Sequence, residues 1–168
     1  MGGFASLHFG LNFPEKAMSC VVAGCGYGAG GDREQWRQEP AEIAQRFIDL
    51  GMEGVSKFYA YGPTRVQFEN KDPRGFAAFV KRFNEHSPLG CANTFIGVQG
   101  ERPSLYELQE DMAKMTVPVY IITGDEDEPC LEPNLMMKRT IAMSWLAVMP
   151  KAGHAINLED PGLFNPVS

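Results

Sequence analysis

Two short stretches of this 168-residue chain hold the side chains best suited to moving protons. GDEDEP at 124–129 crowds four carboxylates into one turn, and KAGHAINLED at 151–160 carries His154. Each stretch follows an apolar run of strand character, so each reads as a turn at the carboxyl end of a β-strand, where open α/β sheets collect their functional groups. A carboxylate that accepts from one imidazole nitrogen sets the tautomer and leaves the other nitrogen to act as a general base. Neighbouring parallel strands lie just under about 5 Å apart, close enough for adjoining turns to form such a pair. On position alone, His154 also suits a solvated turn, and the acidic run a solubilising one. A third stretch, GCGYGAGG at 24–31, spaces Gly26, Gly28 and Gly31 as GxGxxG. A dinucleotide site of that pattern needs a helix at once and an acidic residue at the end of the next strand. Pro40 and the helical setting of Asp49 speak against it, and a loop leaving the strand is the simpler reading. A calcium loop fails because Pro129 stands where a ligand is needed. The four cysteines, at 20, 25, 91 and 130, form no CxxC pair and have no histidine at ligand spacing. Neither a metal nor a cofactor is expected, and free thiols in a reducing cytosol are.

The elements that would position these turns emerge from periodicity. Phe4, Leu7, His8 and Leu11 recur at helical spacing over 3–13, ahead of Pro14. SCVVAGCGY at 19–27 is a continuous apolar run, as expected of a parallel strand covered on both faces. PAEIAQRFIDLG at 40–51 places Ile43, Phe47 and Leu50 on one face and stops at a glycine. DPRGFAAFVKRF at 72–83 begins with Asp72 as N-cap and Pro73 at the first helical position. Its Phe76, Phe79, Val80 and Phe83 form a stripe that reads as packing against a neighbouring layer. Ser104 and Glu107 have the spacing of a capping box opening a helix over 104–115. Strands are expected at 117–123 and 144–150, helices at 132–143 and from Asp160-Pro161 onward. Nothing between 28 and 103 reads as a strand, so a helical insertion separates alternating strands and helices, the signature of an α/β parallel sheet.

Taken in order, MGGFASLHFGLNFPEKAMSCVVAGC, VPVYIITGDEDEP and PKAGHAINLEDPGLFN resemble the α/β-hydrolase family over nearly the whole chain. MGGFASLHFG is similar to the segment on the C-terminal side of the serine in a Gly-x-Ser-x-Gly nucleophile elbow, with Met1 as the second x, Gly2 as the closing glycine and Gly3 an extra one. VPVYIITGDEDEP resembles the family's acid turn, and PKAGHAINLEDPGLFN its Gly-His turn with Glu-x-Pro beyond it. The resemblance implies a partial α/β-hydrolase fold: a short parallel sheet of the last three strands with flanking helices. Residues 1–27 and 104–168 would be hydrolase core and 28–103 a helical cap that sets substrate range. It implies His154 as general base, Asp127 as its orienting carboxylate with Asp125 the fallback, and the Met1 amide as half of an oxyanion hole. The serine would then precede Met1, whose amide is here a terminal amine rather than a fixed dipole. Ser6 lies within a helix without elbow glycines, and Ser19, Ser56, Ser87, Ser104 and Ser144 lack elbow context. The expectation is therefore a fragment of a serine-type enzyme cleaving an ester, lactone or related acyl bond, inactive alone.

Composition bounds the partners. Hydrophobic residues make up 44% and charged residues 21%, a globular balance. A net charge of −6 and a pI near 5.1 argue against nucleic acid or an anionic membrane surface as partner. No apolar run reaches the roughly 20 residues that span a bilayer. A small acyl substrate and a cytoplasmic location are expected. The strand at 19–27 would present an open edge, which invites self-association. The alternative reading is a non-catalytic interaction protein that keeps the scaffold without the elbow.

Overall fold

The computed structural model describes residues 1–26 and 33–166. The chain divides into two compact units, Met1–Tyr27 with Leu105–Ser168, and Gly28–Ser104.

The first unit is a three-stranded parallel sheet with helices. Helix α1 (Gly2–Asn12) precedes strand β1 (Cys20–Ala23), and after the second unit come helix α6 (Gln109–Ala113) and strand β2 (Val119–Gly124). Helix α7 (Glu128–Thr140), strand β3 (Ser144–Met149) and two single-turn helices, α8 (Ile156–Glu159) and α9 (Pro161–Phe164), complete it. The strand order is β1-β2-β3, with Val22 level with Ile121 and Ile121 level with Leu146. Alternation along the strands sends Cys20, Val22, Val119 and Ile121 to one face. There they pack with Phe4 and Leu7 of α1 and Met136, Met137 and Ile141 of α7. Full burial of one such side chain, for example Leu7, contributes roughly 2 kcal/mol. Ile122 and Met149 point the other way and meet Ala152, Ile156 and Phe164.

That second face is not covered throughout. Val21, Tyr120 and Trp145 form one row across the sheet, and Val21 and Trp145 are exposed. The expectation of a strand at 19–27 buried on both faces therefore fails. The strand is four residues long, and on its second face Val21 is exposed while Ala23 packs against the cluster of Ile122 and Ile156.

The second unit is helical in every described element: α2 (Arg33–Tyr59), α3 (Val66–Lys71), α4 (Pro73–Asn84) and α5 (Pro88–Thr94), the last continuing into a π-helical turn at Phe95–Gln99. Gly51 breaks α2 with a left-handed φ of 65°, at the stop expected from its sequence. Pro40 does not interrupt that helix but lies within it. Asp72 caps α4, its Oδ1 accepting from Gly75 N at 2.9 Å. The stripe on α4 packs as expected, Phe83 stacking on Tyr59 at 5.9 Å and Phe76 meeting Phe68 at 5.5 Å. Phe47 of α2 closes the cluster against Phe95 at 5.6 Å.

Two helix starts differ from expectation. Ser104 and Glu107 do not open a helix. Residues 105–108 make tight turns, with Leu108 N donating to Leu105 O, and α6 begins only at Gln109. Leu105 is fully buried in the sheet core there, and its burial outweighs local capping preference. Helix α7 starts at Glu128 rather than at 132, because Asp127 occupies the N-cap position and Pro129 suits the first turn.

Candidate active site

The two turns that could do chemistry are laced together by main-chain hydrogen bonds. Where β2 ends, Asp125 N donates to Met149 O at 3.0 Å and Glu126 N to Ala152 O at 2.9 Å. Asp125 Oδ1 in turn accepts from Ala152 N at 3.0 Å, which commits the fallback carboxylate to holding the turns together. Gly124 is required by this approach. A Cβ on it would lie 2.1 Å from Ala152 O, a backbone atom with nowhere to go.

Asp127 emerges from the resulting corner. Its side chain makes no capping bond to α7. Oδ2 instead lies 2.8 Å from His154 Nδ1. A carboxylate can only accept, so Nδ1 carries the hydrogen and Nε2 presents a lone pair. Nε2 has no hydrogen-bond partner among the described residues, and the His154 side chain is 38% exposed against 1% for Asp127. The histidine turn is held from below by Glu159, which is buried. One of its oxygens accepts from Gly153 N at 2.7 Å and the other from Ala155 N at 2.9 Å, so the two main-chain neighbours of His154 are gripped by one carboxylate. The ring also lies over Gly24 at the end of β1, where a Cβ would come within 3.3 Å of it. Charged bonds to Glu159 and a main-chain floor at Gly24 together limit how the imidazole can swing.

Sequence spacing missed Cys130. It stands one helical turn after Asp127, and its Sγ lies 3.8 Å from His154 Nδ1. The spacing rule that no histidine neighbours a cysteine holds along the chain but not in space, because α7 and β3 bring residues 130 and 154 together. Burial pushes the Cys130 thiol well above its usual range, and the charge and hydrogen bond of Asp127 push it further. A thiol held neutral in this way is a poor nucleophile. The charge of the Met1 amino terminus acts in the opposite sense on Cys130. Glu159 was also missed: its only sequence signal was a place two residues before Pro161.

The remaining candidates lie elsewhere. Ser6 is inside α1, Ser56 Oγ donates to Glu53 O, Ser87 caps α5, and Ser144 Oγ donates to Ile141 O. Among the described residues no serine hydroxyl is hydrogen-bonded to His154. Of the GxGxxG glycines, Gly26 packs near Pro129 O and Cys130 Sγ, while Gly28 and Gly31 lie outside the described residues. No described helix is long and apolar enough to cross a membrane.

No family model matches the sequence. A Bacillus subtilis (strain 168) protein provisionally named 2-succinyl-6-hydroxy-2,4-cyclohexadiene-1-carboxylate synthase is 26% identical over 172 residues, covering 99% of this chain. The chain spans 61% of that relative's length. Among solved structures, MenH from S. aureus superposes with a TM-score of 0.88 at 18% identity, over 98% of this chain and 62% of the other. The enol-lactonase from Burkholderia xenovorans LB400 gives 0.82 at 16% identity, over 99% and 60%. A thermophilic esterase from Thermogutta terrifontis gives 0.79 at 18% identity, over 98% and 58%. The three-stranded parallel sheet, its flanking helices and these superpositions agree: over the part that it spans, this chain has the α/β-hydrolase fold.

Proposed function

We propose that this chain supplies the acid–base half of a serine-type hydrolase acting on an ester, lactone or related acyl bond. One observation carries the reading: the 2.8 Å bond from His154 Nδ1 to Asp127 Oδ2, with Nε2 of a part-exposed ring left without a partner among the described residues. In this reading Nε2 takes the proton of an attacking hydroxyl and returns it to the leaving group, while Asp127 holds the tautomer and stabilises the imidazolium. Glu159 and Asp125 position the turns and do not touch substrate. The helical unit is the insertion that tunes substrate range. The amide of Met1, joined to a preceding residue, is half of an oxyanion hole.

The sequence holds no Gly-x-Ser-x-Gly. The proposed nucleophile is a serine immediately preceding Met1 in the whole protein, and the chain by itself is inactive. Incubation with a p-nitrophenyl ester and a fluorophosphonate probe is expected to give no turnover and no labelled serine; turnover with a labelled serine refutes that claim. The coding DNA upstream of Met1 provides the positive test. If it continues in frame through Gly-x-Ser, the extended protein should hydrolyse the ester, and His154→Ala should lower kcat by at least about 10³-fold. An extended protein whose turnover survives His154→Ala would sink the assignment.

The second reading is a non-catalytic interaction protein on the same scaffold. It is favoured by the lack of any described serine at His154, and an upstream stop codon with a ribosome site would support it. The synthase name of the Bacillus subtilis relative is compatible with the same imidazole acting as base in a reaction other than hydrolysis, and the ester assay on the extended protein separates the two.

A further inference from the structure

Among the described residues, one cluster combines three different ligand chemistries. Asp127, Cys130 and His154 each offer one donor atom, and the three atoms lie within 4.8 Å of one another. The arrangement has a further peculiarity. Asp127 is 1% exposed, and its Oδ1 is buried without a hydrogen-bond partner, so part of this carboxylate's acceptor capacity is unused. A buried carboxylate oxygen left in that state is costly, and something that satisfies it is stabilising. Thiolate, imidazole and carboxylate are the donors Zn²⁺ takes, at bond lengths of about 2.0–2.3 Å. Tetrahedral coordination at those lengths separates sulfur from nitrogen by roughly 3.6 Å and nitrogen from oxygen by roughly 3.3 Å. The observed Sγ–Nδ1 separation is 3.8 Å, already in place, and the Nδ1–Oδ2 separation of 2.8 Å must open by about half an ångström as its hydrogen leaves.

We propose that Asp127, Cys130 and His154 form a three-ligand site for a divalent cation of the zinc class, with solvent in the fourth position. Protons and charge balance on binding. The cation displaces the thiol proton of Cys130, which is released to solvent, and a coordinated thiol gives up its proton even when burial opposes this. The hydrogen on His154 Nδ1 is also lost, and the imidazole takes one up at Nε2, so the ring stays neutral. Two ligand charges, thiolate and carboxylate, then offset the two of the cation. The site stands on geometry alone and needs no catalytic role. Its consequence rests on the hydrolase reading: with hydrogen on Nε2 the ring can no longer accept a proton there, so cation and general-base use exclude one another.

The test is binding, read by spectroscopy and not by turnover, so its failure leaves the hydrolase reading untouched. Titration of the chain with Co²⁺ is expected to saturate at one equivalent with a thiolate-to-cobalt charge-transfer band in the near ultraviolet. Cys130→Ala should abolish the band, Cys91→Ala should keep it, and His154→Gln should weaken binding at least tenfold. A folded chain with no such band, or a band that persists in Cys130→Ala, overturns the site. X-ray absorption of the zinc-loaded chain decides without any variant: one sulfur among nitrogen and oxygen ligands supports the site, and none or several refutes it.

Discussion

Gly124 and Glu159 hold in place the two turns that bear the Asp127–His154 pair. Gly124 lets the acid turn approach the histidine turn, and a methyl group there meets the Ala152 carbonyl at 2.1 Å. Backbone cannot step aside cheaply, so Gly124→Ala should cost about 3 kcal/mol or more, measured as a fall in the denaturation free energy. Glu159→Gln removes a charge that two main-chain N–H groups share at 2.7 and 2.9 Å and turns a donor toward one of them. A loss of about 2–3 kcal/mol is expected by denaturant titration, together with broadening of the His154 Nδ1 proton resonance. An unchanged resonance would mean that Glu159 stabilises the fold without positioning the ring.

At the level of elements, local signals worked where solvent surrounded them. Asp72, Pro73 and the aromatic stripe of α4 agree with one another and with the structure, because an exposed helix start is decided by its own capping atoms. Asp72→Ala should therefore lower stability by about 1 kcal/mol, visible as a reduced melting temperature, with Asp72→Asn largely restoring it. The capping-box spacing at Ser104 and Glu107 pointed the other way from the structure, since Leu105 is drawn into the sheet core and the helix cannot begin until Gln109. Helix α7 shows the same competition with a gain for the site. Starting at Glu128 makes Asp127 the N-cap residue and puts Cys130 one turn from it.

For the whole molecule, Val21 on β1 and Trp145 on β3 lie exposed in one row across the sheet. We propose self-association through this face and the edge at β1. Sedimentation velocity should show a species that grows with concentration, and Trp145→Glu should return the chain to a single slow boundary. A wild-type chain that stays monomeric at high concentration would remove the proposal.

The order of strands and helices, the absence of strands among the described residues of 33–103, and the two turns bearing Asp127 and His154 could all be read along the chain. Hydrophobic period and turn residues are local properties, and each turn carried its own chemistry. The pairing itself, the commitment of Asp125 to Ala152 N, the grip of Glu159 and the arrival of Cys130 beside the imidazole came only with the tertiary structure. The grip of Glu159 spans only 4 and 6 residues, but the other three contacts depend on parallel strands bringing residues 24 to 27 positions apart in sequence to within 3.8 Å, and no spacing rule along a chain encodes which of those partners will meet.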